Sequence, residues 1–280
     1  DYRRVFDLLS PWIPRRLIGF VLFMKHLFYF FTLIFSLVFV PLVYAQTTQQ
    51  TDYQYQLDQY RKNYSQYQIL LRDYKDESSL NNEQKAINIA KETLRSRELA
   101  LAHYFWWQSE IVQASKVDLP VVKQAISDYN DIGQYHYQQL GSIDKIITRS
   151  DLTSYTKKNR KELDKQQLAI TRNQTAAKIA KIVAFQLDIK RAFDAIIPQL
   201  ELTKANNPSV QNGLDQVNEY SIQVNDLVNS LSESTTKLDL ENKRPSQFYE
   251  DSTDVLNQIH ALQLKLINLI IELDTAYVAR

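Results

Sequence analysis

The feature that most constrains this chain is a seven-residue repeat of apolar side chains over residues 209–279. The steps between them alternate between four and three residues. The first series is Val210, Leu214, Val217, Ser221, Val224, Val228, Leu231, Thr235 and Leu238, and the second is Phe248, Ser252, Val255, Ile259, Leu262, Leu266, Leu269, Leu273 and Ala276. Such spacing places side chains on one stripe of an α-helix. It predicts two long helices that pair as an antiparallel α-hairpin.

Helical spacing also extends over the preceding residues. Tyrosines and leucines at heptad positions predict a helix over 51–75, and a second helix is expected over 83–117. Pro120 in a first turn predicts a shorter third helix that ends near residue 130, because Gly133 and Gly141 weaken the pattern.

A fourth helix is expected over 152–204, with a kink at Pro198. No segment after residue 46 alternates polar and apolar residues with a period of two, as a half-buried strand would. We therefore predict an all-α fold: an extended helical bundle with long coiled-coil-like helices and a C-terminal antiparallel α-hairpin.

Composition excludes several classes of protein. The 280 residues include no cysteine and only four glycines, which removes disulfide scaffolds, thiol nucleophiles and glycine-rich phosphate loops. The formal net charge of +1 provides no field to attract nucleic acid, so a nucleic-acid partner is not expected.

The segment from Met24 to Ala45 predicts a signal peptide. Lys25 and His26 precede a long apolar run, and Val43 and Ala45 stand at the −3 and −1 positions before Gln46. We expect cleavage between Ala45 and Gln46. The alternative is an uncleaved anchor, since residues 27–45 are about long enough to span a bilayer as a helix and would then contact the membrane.

Residues 1–23 are interpreted as translation upstream of the true start at Met24, because their apolar run is too short to cross a membrane. Without residues 1–45 the chain has 28 basic and 30 acidic residues. We divide it into N-terminal helices over 46–147, and a long kinked helix followed by the hairpin over 148–280. The expected location is extracytoplasmic, either secreted or anchored at the outer face of the cytoplasmic membrane.

The sequence offers no recognisable catalytic or metal-binding motif. Its histidines after residue 46, His103, His136 and His260, belong to no Glu-x-x-His or His-Glu-x-x-His pattern. The spacing of Asp128 with Asp131, and of Asp188 with Asp194, is expected by chance in a chain with 23% charged residues. We therefore predict no enzymatic activity, no cofactor and no metal.

Four consecutive aromatic residues, Tyr104, Phe105, Trp106 and Trp107, are the most unusual local feature. Successive residues turn by about a hundred degrees on a helix, so the four cannot all face one core. The favoured interpretation is that two point into the bundle while two cover a neighbouring helix. The alternative is an interaction anchor for a protein, a glycan or the membrane interface.

Two further segments carry similar alternatives. Residues 135–137 (Tyr-His-Tyr) could form a second aromatic patch, and the basic run 156–161 could contact a phosphate-bearing lipid or a cell-wall polymer. Such a run is more often the solvated face of a helix.

The segments 51–64 (TDYQYQLDQYRKNY) and 82–86 (NEQKA) resemble the start of secreted helical proteins of unassigned function from uncultivated small-genome bacteria. The resemblance covers about the first third of the region after residue 45. It implies a bacterial envelope setting and carries no catalytic residue.

The sequence as a whole predicts a non-enzymatic envelope protein that binds or scaffolds a protein or a cell-envelope component, with oligomerisation left open. The alternatives are a membrane-active helical protein similar to pore-forming toxins, for which residues 179–200 would be the candidate segment, and an enzyme of unrecognised class.

Overall fold

The computed structural model describes residues 47–204, 207–238 and 244–278, which form helices throughout and contain no strand. The helices are α1 (Thr48–Asp76), α2 (Leu80–Ala114), α3 (Pro120–Asp144), α4 (Arg149–Lys204), α5 (Pro208–Thr236) and α6 (Pro245–Val278). The predicted all-α fold is confirmed. The predicted signal peptide at 24–45 and the segment 1–23 lie outside the described residues.

Local hydrogen bonds explain where α1 and α4 begin. Thr47 caps α1, because its side chain accepts a hydrogen bond from the Gln50 backbone N–H at 3.2 Å. In the first turn of α4, Asp151 accepts hydrogen bonds from the backbone N–H groups of Ile147 and Thr148, which precede the helix, at 3.1 and 2.8 Å. The hydrogen bonds from Thr148 and Ile147 lower the pKa of the Asp151 carboxyl. These hydrogen bonds form the turn that leads into α4.

The predicted end of the third helix near residue 130 is wrong. Helix α3 continues through Gly133 and Gly141 to Asp144. At Gly133 the reason is packing, because an added Cβ would lie 2.6 Å from the Trp106 Nε1 atom. The missing side chain thus makes room for an indole, and this contact offsets the poor helix propensity of glycine. Pro198 lies inside α4, and the predicted kink there stays a prediction.

The chain divides into two compact units by packing. The described part of the first unit is 47–107 with Gly133–Leu163, and the second unit comprises Gln108–Ile132 and the residues from Asp164 onwards. This grouping differs from the division drawn from the sequence between residues 147 and 148, because α2, α3 and α4 each contribute to both units.

Each unit has its own buried side chains. The first unit contains a core cluster of Tyr67, Leu71, Ile87, Ala90, Leu94, Ile143, Ile146, Leu152 and Tyr155. In the second unit α5 packs against α6, and Gly213 near the start of α5 lies against Leu273 near the end of α6. This contact is expected of an antiparallel pair, while the coiled-coil and hairpin details stay predictions.

In the part of the chain that the structure describes, we find no helix that is both apolar and long enough to span a membrane.

Candidate functional site

The four consecutive aromatic residues on α2 differ in burial. Phe105 is buried at 3% exposure, while Tyr104, Trp106 and Trp107 are each half-buried. The three half-buried rings cover neighbouring helices, as described below. Neither indole is fully shielded, so an edge or face of each stays accessible to a partner.

Trp107 and Tyr104 pack against α1. The Trp107 ring stacks on Tyr53 with 5.9 Å between centroids, and Tyr104 lies 5.4 Å from the same tyrosine. Burial raises the pKa of both Tyr53 and Tyr104, so both phenols stay protonated at neutral pH. Offset and tilted pairs of this kind stabilise by about 0.5–1.5 kcal/mol beyond the area they bury.

Trp106 points to another neighbour, helix α3. Its indole covers Gly133 and lies 5.8 Å from the ring of Tyr137, which is 48% exposed. On α2 itself it meets His103 edge-on at 5.5 Å, and His103 Nδ1 lies 2.7 Å from the Gln49 side chain on α1. We call Tyr53, Tyr104, Trp106, Trp107 and Tyr137 the aromatic surface.

The suggested second patch at residues 135–137 is not one surface. His136 is fully buried at 0% exposure, Tyr135 is half-buried, and only Tyr137 is exposed. His136 is instead part of a buried polar network that the sequence analysis missed.

This network joins α2, α3 and α4 around the carboxylate of Glu98, which is 0% exposed. His136 Nδ1 lies 2.6 Å from Glu98 Oε2, and the Arg97 guanidinium donates to Glu98 Oε1 at 2.5 Å. Asn159, 2% exposed, accepts from Arg97 at 2.8 Å and donates to Glu98 at 3.4 Å. Phe105 stacks in parallel on the His136 ring at 5.7 Å.

The charges of this network compensate each other. Burial alone would raise the pKa of Glu98, but the charge of Arg97 and the hydrogen bonds from His136 and Arg97 outweigh it and lower the pKa to about 2. Burial would likewise lower the pKa of Arg97, yet the charge of Glu98 leaves it raised. The carboxylate and the guanidinium thus remain an ion pair at neutral pH.

The hydrogen-bonding role of the His136 Nδ1 atom follows from its partner. A carboxylate can only accept, so Nδ1 carries the proton that is donated to Glu98. The other ring nitrogen, Nε2, is buried and has no hydrogen-bond partner among the described residues. Both Glu98 and His136 are enclosed, so no substrate atom reaches either side chain in this conformation. The arrangement can fix three helices against one another, whereas acid–base catalysis requires contact with a substrate.

A sequence signal for the network did exist. Glu98 continues the buried stripe of Ile87, Ala90 and Leu94, and is followed on that stripe by Ala102 and Phe105. His136 and Asn159 likewise occupy buried positions on their helices, and Asn159 lies within the basic run 156–161. A polar residue at a core position of an amphipathic helix indicates a buried hydrogen-bonded partner.

The other candidates from the sequence lie outside this network, apart from Asn159. In the basic run, Lys157, Lys158, Arg160 and Lys161 are exposed. Asp128 accepts from Arg172 at 2.5 Å and from Gln124 at 2.7 Å, which accounts for its position without a catalytic role.

Asp188 and Asp194 each pair with a cation on their own helix, and His260 is exposed. Over the described residues no three His, Asp or Glu side chains are placed to hold a metal ion.

Comparison with known proteins returned no matching family, no matching curated protein and no matching solved structure. The resemblance to secreted helical proteins of small-genome bacteria therefore stays a prediction.

Proposed function

We propose that the chain is a non-enzymatic helical binding or scaffold protein that is exported and acts at the bacterial cell envelope, through a protein or an envelope component. The observation that carries the proposal is the aromatic surface on α1, α2 and α3. Tryptophan and tyrosine are enriched where proteins contact partners, because they combine a large apolar area with a polar end.

The position of the aromatic surface fits a binding role. Its rings are held by ring–ring contacts and by the close approach of Trp106 to Gly133, so they are ordered before a partner arrives. Side chains that are already ordered lose little conformational entropy on binding. Tyr137, 48% exposed, extends the surface on the side of Trp106.

Export can be tested separately from binding. Residues 24–45 can be fused to a reporter enzyme that is active only outside the cytoplasm, and we expect the reporter to be active in this fusion. The same fusion with two arginines inserted into the apolar run should show no activity, because charges block insertion of such a segment. Equal activity of both fusions, or inactivity of both, would contradict an envelope location.

Binding can be tested by co-sedimentation of the chain from residue 46 with purified cell-wall sacculi and with membrane vesicles. Trp107→Ala should release the protein from whichever fraction retains it. Tyr55→Ala is the matched control, because Tyr55 is 60% exposed on α1 and is not part of the aromatic surface. Equal loss for both variants, or no retention of the parent chain, would contradict the proposal.

The same vesicles test the membrane-active alternative. Release of an encapsulated dye at protein concentrations that give binding would favour that alternative. Binding to sacculi without dye release would favour the scaffold role.

A further inference from the structure

A polar pocket of about 290 Å³ lies in the first unit, where the last turns of α3 face the first turns of α4. Its only apolar or aromatic lining side chains are Ile146 and Tyr155, and both are buried. Every other side chain of the lining is polar or charged. A hydrocarbon ligand would leave these groups without hydrogen bonds, so the lining favours a polar ligand.

Four exposed side chains of the lining have free donor groups. Within the described part of the chain, the ammonium groups of Lys145 and Lys158 form no ion pair, and the hydroxyls of Ser142 and Ser154 form no hydrogen bond. Other helical hydroxyls in this protein are engaged, as Ser65 is when it donates to a carbonyl one turn earlier at 3.0 Å. Two cations and two hydroxyls from both sides of the pocket therefore remain available to a ligand.

The floor of the pocket is already hydrogen-bonded. Asn159, which is 2% exposed, donates to Glu98 and to the Tyr155 hydroxyl at 3.4 Å each. Asp151 is the carboxylate of the lining, and it accepts from two backbone N–H groups. Glu162 lies one turn beyond Lys158 on α4 and is not part of the lining. The free groups of the pocket are thus mainly donors, which suit an anion.

Positive charge is concentrated around this pocket. Residues 145–161 contain one acidic residue, Asp151, against six basic residues, whereas the chain from residue 46 has 30 acidic and 28 basic residues. The six are Lys145, Arg149, Lys157, Lys158, Arg160 and Lys161. Lys157 and Lys161 are exposed beside Lys158 and lie outside the lining. Their charges add to a local field that attracts anions towards the pocket.

We propose that this pocket binds the phosphate group of a phosphate ester. Lys145 and Lys158 provide the counter-charges, and Ser142 and Ser154 provide hydrogen bonds to the phosphate oxygens. Lysine binds phosphate as a point charge, whereas a carboxylate ligand is matched by the planar fork of arginine. The pocket lining contains no arginine. The inference goes beyond the proposed function, because the pocket shares no residue with the aromatic surface.

The test uses the full chain from residue 46 with inorganic phosphate and glycerol 3-phosphate as soluble probes at constant ionic strength. Amide NMR spectra should show saturable shifts within residues 139–159. Acetate is the control anion, and it should bind weaker by roughly tenfold or more because it has less charge and fewer acceptor oxygens. Shifts that do not saturate with either phosphate, or an equal response to acetate, would overturn the proposal.

Two matched variants locate the site. Lys158→Gln should weaken phosphate binding by roughly tenfold or more, because it removes a charged donor of the pocket. Lys157→Gln removes the same charge from the neighbouring residue outside the lining, so it should have a much smaller effect. Circular dichroism should show that both variants fold like the parent, since both side chains are exposed. Equal effects of the two substitutions would overturn the proposal.

A third variant separates the pocket from the general field. Ser154→Ala leaves the charge unchanged but removes a hydroxyl of the lining, so it should weaken phosphate binding by roughly threefold. Unchanged binding by Ser154→Ala, together with equal losses for Lys157→Gln and Lys158→Gln, would show that a diffuse basic surface attracts the anion and would reject the pocket.

Further probes distinguish the sources of the phosphate group. Tighter binding of monomeric dihexanoyl phosphatidylglycerol than of glycerol 3-phosphate would support the proposal and identify a lipid headgroup. Equal binding of the two would support it with a water-soluble ester. Tighter binding of inorganic phosphate than of both esters would identify the free ion and reject the ester.

Failure of this proposal is distinguishable from failure of the proposed function. Trp107→Ala should leave phosphate binding unchanged, because Trp107 does not line the pocket. Absent phosphate binding together with retained, Trp107-dependent binding to sacculi would reject the pocket alone.

Discussion

In the first unit, the buried carboxylate of Glu98 is hydrogen-bonded by side chains from two other helices, His136 on α3 and Asn159 on α4. In the second unit, the buried hydroxyls of Thr235 and Ser252 each donate to a carbonyl one turn earlier in their own helix, at 2.6 Å. Both arrangements give these buried oxygen atoms hydrogen-bond partners, but only the first depends on how neighbouring helices are placed.

This difference indicates which substitutions should destabilise each unit most. A hydroxyl bonded within its own helix lets a polar residue occupy an apolar stripe without any cross-helix partner. A buried carboxylate that is hydrogen-bonded from several helices is different. When one residue of such a network is removed, the stabilisation by the whole network is lost. We therefore expect the first unit to be most sensitive to changes of charge and the α5–α6 pair to changes of apolar volume.

The largest effect is expected from Glu98→Gln. The change keeps the shape of the side chain but leaves the Arg97 guanidinium, whose side chain is 15% exposed, without its counter-charge. Breaking a buried ion pair in this way costs about 3–5 kcal/mol of the free energy of unfolding. Denaturant unfolding should show the loss, whereas the control Glu110→Gln, exposed on the same helix, should stay within about 0.5 kcal/mol. Equal stability of the two variants would show that the network does not stabilise the first unit.

The counterpart in the second unit is Leu266→Ala. Leu266 is 0% exposed on α6, so removal of its side chain should cost about 2–5 kcal/mol. The matched control is Leu264→Ala, which lies on the same helix at 41% exposure and should cost much less. Thermal unfolding by circular dichroism measures both. If Leu264→Ala costs as much as Leu266→Ala, the apolar stripe has been assigned to the wrong face.

Glycine substitutions compare the packing of the two units through smaller changes in the free energy of unfolding. Gly133→Ala forces the Trp106 indole to move and should cost about 1–3 kcal/mol, with a shift in tryptophan fluorescence. Gly213→Ala meets the end of the flexible Leu273 side chain at 2.7 Å, so it should cost less.

Gly141→Ala is the control for both. An added Cβ at Gly141 meets nothing within 4 Å, so the substitution should stabilise α3 by about 0.5–1 kcal/mol through helix propensity alone. Destabilisation at Gly141 equal to that at Gly133 would show that packing against Trp106 is not the reason for the glycine.

The contrast between contacts within one helix and contacts between helices also explains which parts of the structure the sequence predicts. The stripe from Val210 to Leu238 is visible because apolar residues at heptad spacing need only their own helix to be recognised. The network around Glu98 could not be predicted in full, because its partners lie 38 and 61 residues away and become neighbours only after the helices pack.

Gly133 illustrates the same limit. A glycine inside a helical pattern indicates a helix end when the chain is considered locally, and the contact with Trp106 that explains it comes from another helix. For the aromatic surface the sequence singled out Tyr104, Trp106 and Trp107, while the contacts that these rings make with Tyr53 and Tyr137 arise only when the helices pack.

The account depends most on the claim that Glu98 is an ionised, buried carboxylate held by its partners. Its pKa is lowered from 4.5 to about 2, so its contribution to stability is complete above pH 4.5 and is lost as the pH falls towards 2. The most direct measurement is the free energy of unfolding between pH 6 and pH 2 for the parent chain and for Glu98→Gln.

Exposed carboxylates contribute equally to the two profiles, so their difference reports on Glu98 together with its partners Arg97 and His136. We predict that the advantage of the parent over Glu98→Gln shrinks by on the order of 3 kcal/mol as the pH falls through this range. An advantage that stays constant with pH, or no advantage at pH 6, would contradict the claim that a buried ionised Glu98 holds the three helices of the first unit together.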